Sequence, residues 1–148
     1  MDYDNLVRAI ETLDGDRVFR LRLRPAHWST LAGYMAPRDV AAGGLLLAQD
    51  EPERALFLLE RGTLHVHAVP ARHRVELLHA GSAVGEASLF ANAPPAATTV
   101  EALTPCIVWT LPAARVAQLA QRSPDIAVEV LRAAGALLVR RLRDAGKA

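Results

Sequence analysis

One carboxylate in this chain sits directly behind a glycine and ahead of a short run of small residues. The stretch is Gly81-Ser82-Ala83-Val84-Gly85-Glu86-Ala87-Ser88-Leu89-Phe90. It reads as the end of a β-hairpin, a tight turn and one turn of helix. Gly85 lets the backbone come close to another group, because no Cβ intervenes. A helix starting after it would present the N–H groups of Ala87 and Ser88, an anion-binding arrangement. Glu86 cannot hold an anion, but it can accept a hydrogen bond from a hydroxyl. A ligand with one phosphate and one sugar hydroxyl answers both requirements.

Other residues could do chemistry, and most have a plainer reading. His65 and His67 lie on one face of an extended segment, with Glu76 downstream. Such a pair can hold zinc, iron or manganese, and it resembles the first metal motif of the cupins. The spacing to Glu76 is too long for that motif and its second half has no counterpart. Leu64 and Val66 are expected to face the core, which leaves the histidines wet and no metal expected. Cys106, beside Pro105 in an apolar segment, reads as a small buried hydrophobe. Arg20-Leu21-Arg22-Leu23-Arg24 alternates charge and leucine, and reads as a solvated face rather than a nucleic-acid surface, since no aromatics interleave the charges. There is no Ser-His-Asp order, no paired carboxylates and no nucleoside-triphosphate loop, so no catalytic residue and no enzyme is expected.

The elements that must position these residues follow from periodicity. A chain of 148 residues with 51% apolar content suggests one domain with a real core. The net charge of +1 gives no global case for nucleic acid. A single cysteine fits a reducing compartment, and no apolar run approaches the ~18–20 residues that span a bilayer. A cytoplasmic protein without membrane contact is expected. Leu6, Ile10 and Leu13 mark a helix over 4–13, and Pro25 opens a second through Met35 with Trp28 and Leu31 inward. From Arg38 to Leu111, short apolar runs split by Gly, Pro, Asp or Asn predict a β barrel or sandwich. Strands are expected on both sides of Gly43-Gly44, over 55–59, 64–67, 75–79, 98–103 and 106–111. Helical spacing returns over 112–121 and from Pro124 to about Arg143. The last helix carries Ile126, Val130, Ala134, Leu137 and Leu138 on one stripe, with Glu129, Arg132, Arg140 and Arg143 opposite.

Gly85-Glu86-Ala87-Ser88-Leu89 followed by Ala93-Pro94-Pro95-Ala96-Ala97-Thr98-Thr99 resembles the phosphate-binding cassette of the cyclic-nucleotide-binding domain family. That family includes the bacterial catabolite activator and the regulatory subunit of protein kinase A. The likeness extends through Val40 to Leu46, Gln49 to Pro52, Gly62 to Val66 and Leu78 to Glu86. It implies a mainly β fold with flanking helices: a β jelly roll (double-stranded β-helix) over 37–111, a helical lead over 1–36 and C-terminal helices over 112–148. It also implies cyclic AMP or cyclic GMP as the candidate ligand, with no other cofactor. Gly85, Glu86, Ala87, Ser88, Ala97, Thr98 and Thr99 would be the ligand-binding residues.

The family's cassette arginine is missing. Pro95 or Ala96 takes its place, depending on register, and no Lys or Arg occurs between Arg74 and Arg115. A charge-assisted hydrogen bond contributes ~1.5–3 kcal/mol, so weak binding is expected unless an arginine such as Arg72, Arg74 or one from the last helix substitutes. The resemblance implies a non-enzymatic regulatory domain that signals through its last helix to a homodimer partner or another protein. No helix-turn-helix follows, so direct DNA binding is not expected. The alternatives are a degenerate module working by dimerisation or docking, and a cupin-like metalloenzyme. An open niche over Gly85 would favour sensing; Glu86 salt-bridged internally would favour association.

Overall fold

The computed structural model describes residues 2–15, 18–48, 54–68, 75–90 and 98–145. The helical lead forms α1 (Asp4–Thr12) and α2 (Pro25–Ala32). Leu6 and Ile10, one turn apart, are buried, as are Trp28 and Leu31. The second helix stops before the expected Met35, because Ala36 already belongs to a strand; Met35 is still buried. Between the helices, Phe19 and Leu21 turn inward while Arg20, Arg22 and Arg24 stay exposed. This run alternates as expected but joins no sheet, and Arg20 donates to the carbonyls of Leu13 and Gly15.

Eight strands follow: β1 (Ala36–Val40), β2 (Leu45–Leu47), β3 (Ala55–Arg61), β4 (Leu64–Ala68), β5 (Val75–Leu78), β6 (Ala83–Val84), β7 (Thr98–Ala102) and β8 (Cys106–Pro112). They form two antiparallel four-stranded sheets, in the orders β1-β8-β3-β6 and β2-β7-β4-β5. The jelly-roll architecture is therefore present, with its strands running from Ala36 to Pro112. Two C-terminal helices, α3 (Ala113–Arg122) and α4 (Pro124–Ala145), close the chain's described part.

In the first sheet β3 is buried on both faces, which explains its unbroken apolar run, whereas β1 at the edge is exposed from Ala36 to Asp39. Phe57, Leu59 and Val108 pack between the sheets with Leu64, Leu78 and Val100. Leu56, Leu58, Trp109 and Leu111 face the other way, beneath the helices, with Leu119, Val130 and Leu137. Among the described residues, the second sheet has only one covered face. Its outer face carries Leu45 and Leu77, respectively 59% and 47% exposed.

Candidate functional site

The short strand β6, not anticipated from the sequence, holds the front of the cassette against β3. Ala83 pairs with Leu58 and Val84 with Phe57. The Gly81 N–H donates to the Leu59 carbonyl at 2.7 Å, and the Leu59 N–H to that of Ser82 at 2.9 Å. The chain then reverses at Gly85, whose φ of +84° is left-handed. A Cβ on Gly85 would lie 2.5 Å from the Ala55 carbonyl oxygen and 3.4 Å from the Phe57 ring. The close approach expected at this glycine is thus made to β3 of the same chain.

A 3-10 turn over Glu86–Leu89 follows. The Ser88 N–H, expected to face an anion, donates instead to the Gly85 carbonyl at 3.0 Å. The Ser88 hydroxyl lies 2.6 Å from that carbonyl and 2.9 Å from the carbonyl of Ala55, and donates to these backbone oxygens. Ser88 is thus bonded internally, at one of the positions where a ligand was expected.

Glu86 decides what this arrangement can do. It is the buried charged residue of the described chain, at 5% exposure. Its Oε2 accepts from Arg141 Nη1 at 2.7 Å, and Arg141 Nη2 donates to the Ala83 carbonyl at 2.8 Å. One guanidinium thus clamps both the cassette carboxylate and the end of β6, spanning from α4. A carboxylate this buried is tolerable because it is paired. The Nε of Arg141 is buried with no hydrogen-bond partner among the described residues. Leu89 and Phe90 add apolar contact beneath the helices, and the Phe90 ring lies beside Gly135 of α4.

The remaining expected ligand residues lie in the later part of the cassette. Ala97, Pro95 and Ala96 lie outside the described residues. Thr98 and Thr99 begin β7 in the other sheet, opposite Ala68 and His67. Successive strand residues point to opposite faces. Thr98 has the parity of the buried Val100, and Thr99 that of Glu101. Glu76 likewise pairs with Val66, on the alternate face from the histidines. Glu101 meets them instead, 3.3 Å from His65 Nδ1 and 3.1 Å from His67 Nε2. Hydrogen bonds from His67, then His65, hold the Glu101 carboxyl below its ordinary value of 4.5. Cys106 is buried, with its thiol near the Thr63 and Thr104 carbonyls.

Two surface depressions lie away from the cassette. One of about 530 Å³ runs beside Glu11 and Arg20 to Arg24. Another of about 350 Å³ lies between Arg20 and the Arg132–Arg140 side of α4.

The last helix differs from expectation in which residues it leaves open. Ile126, Val130, Ala134 and Leu137 are spent on the core beneath it. Its exposed apolar residues are Val128 (47%), Val139 (49%) and Leu142 (63%). Val128, Gly135 and Leu142 are seven residues apart, and Leu131 and Leu138 flank them half-buried. Arg141 went unassigned in the sequence; its signal was a cation one turn beyond Leu137 on the buried stripe.

Residues 37–123 match the family described as "cyclic nucleotide-binding domain". No curated protein sequence is significantly similar to the chain. Among solved structures, a cyclic nucleotide-binding domain from Methylobacillus flagellatus is similar with a TM-score of 0.77 at 21% identity, over 97% of this chain and 79% of that one. The N-terminal domain of a transcriptional regulator from Streptomyces coelicolor A3(2) is similar at TM-score 0.69 and 25% identity, over 90% and 97% of the two chains. The Thermus thermophilus catabolite activator protein gives 0.69 and 25%, over 84% of this chain but 57% of its own length. No helix among the described residues is long and apolar enough to cross a membrane. With its two-sheet roll, its Gly85-Glu86 turn and more than half of its length matched, the chain belongs to the cyclic nucleotide-binding domain family.

Proposed function

We propose that this chain is a non-enzymatic, cytoplasmic regulatory module whose cassette is held against its last helix, and which pairs with a second copy through the exposed seam of α4. The observation that carries the reading is the contact of Glu86 with Arg141 at 2.7 Å. The acid that a sugar hydroxyl would need is already ion-paired and buried. A neutral hydroxyl bond contributes ~1 kcal/mol and a charge-assisted one ~1.5–3, so a ligand displacing Arg141 loses at this position. No arginine or lysine from 75–114 answers its phosphate either. Cyclic AMP and cyclic GMP are therefore weak ligands. Calorimetry tests this: no saturation at millimolar nucleotide is expected, and saturable micromolar binding contradicts it.

The same bridge supports a second reading, a ligand-gated helix. It links the cassette to α4, and the buried Arg141 Nε–H has no described partner. A cyclic nucleotide with higher affinity for a released state would then shift α4, and the family's ligand class supplies the candidate. Under this reading Arg141→Met, which frees Glu86, raises nucleotide affinity at least about tenfold. Under the first, the variant still shows no saturable binding.

A further inference from the structure

The outer face of the second sheet carries a cluster that the cassette does not use. His65 and His67 are two residues apart on β4, so both rings stand on the same side. Glu101 is directly opposite His65 on the neighbouring β7. The strands thus fix two imidazoles and one carboxylate on a common patch, and all three ligand atoms lie within 4.8 Å of one another. Their side chains are 20%, 35% and 35% exposed, open enough for an ion to enter.

Two of the three separations already suit a metal. With zinc–nitrogen and zinc–oxygen bonds near 2.0–2.1 Å, the edge of a tetrahedron is about 3.3 Å. The observed distances from Glu101 Oε1 are 3.3 Å to His65 Nδ1 and 3.1 Å to His67 Nε2. The rings meet edge to face, with centroids 4.0 Å apart, so small side-chain rotations bring both nitrogens to one centre. The donors match the borderline ions, for which imidazole and carboxylate are ordinary ligands.

We propose that His65, His67 and Glu101 form a surface site for one zinc-class divalent ion, with water in the fourth position. Such an ion would tie β4 to β7. It is not the cupin arrangement: the interior of the roll is filled by Leu64, Val100 and their neighbours, while these ligands face outward. The ion therefore acts on the strands and has no enclosed substrate space.

The test is titration of the chelator-stripped full chain with Zn²⁺ alone, followed by Co²⁺ as a spectroscopic stand-in. One Zn²⁺ per chain is expected, with roughly micromolar affinity, weaker than buried four-ligand structural sites. His67→Ala and Glu101→Ala should each weaken binding by at least about 100-fold, beyond what loss of an outer partner costs. Affinity should fall on acidification, because all three ligands must be deprotonated. Co²⁺ on the unaltered chain should give tetrahedral or five-coordinate bands without a thiolate band. Absence of saturable Zn²⁺ binding below millimolar overturns the proposal. So does binding that survives both substitutions, or a thiolate band implicating Cys106.

Discussion

Gly85 is packed so tightly against Ala55 that a Cβ on the glycine would stand 2.5 Å from the Ala55 carbonyl oxygen. Its backbone is left-handed as well, at φ +84°. Gly85→Ala therefore meets two penalties, a strained conformation and a collision with β3. A loss of at least about 2 kcal/mol is expected in urea unfolding. A change under 0.5 kcal/mol would mean that the turn relaxes without cost.

The seam on α4 predicts an oligomeric state. Leu142 is 63% exposed, Val139 three residues before it is about half exposed, and Val128 is about half exposed on the same face near the start of the helix. Val128, Val139 and Leu142 share one helical face, and an exposed apolar face of this kind suits a helix pairing with a copy of itself. The chain should run as a dimer in light scattering, and Leu142→Glu should convert it to a monomer with an unchanged circular dichroism spectrum. A chain that is monomeric at high micromolar concentration contradicts the association reading.

Glu101 predicts an acid-side dependence of stability. Its carboxyl is held below its ordinary value of 4.5 by hydrogen bonds from His67 and His65. A depressed folded-state value contributes stability that is complete above the unfolded value and is lost as pH falls through the folded one. Thermal melts of the metal-free chain should therefore lose this contribution below about pH 4.5. Glu101→Gln should flatten that part of the profile.

The roll was legible because glycines and short apolar runs recur where strands must turn. β3 announced itself as a five-residue apolar run, Ala55 to Leu59, buried on both faces. β6 escaped because a two-residue strand, Ala83–Val84, has no period to detect. The site was less legible, for a physical reason: its decisive contact is non-local. Glu86 and Arg141 are 55 residues apart, and only the packing of α4 beside the 3-10 turn brings them together. Glu101 joined His65 and His67 for the same reason, through a strand register that the sequence does not display. The close backbone approach at Gly85 was legible, but what crowds it is β3.

The bond between Glu86 and Arg141 joins the cassette to α4, and a double-mutant cycle measures it. Glu86→Met, Arg141→Met and the double variant are unfolded in urea beside the unaltered chain. Each single change leaves one buried polar group without its partner and should cost about 3 kcal/mol. The double change removes the charge from both, so it should cost clearly less than the sum, with a coupling of about 2 kcal/mol or more. Additivity within about 0.5 kcal/mol would show that the two side chains do not hold the cassette to the helix.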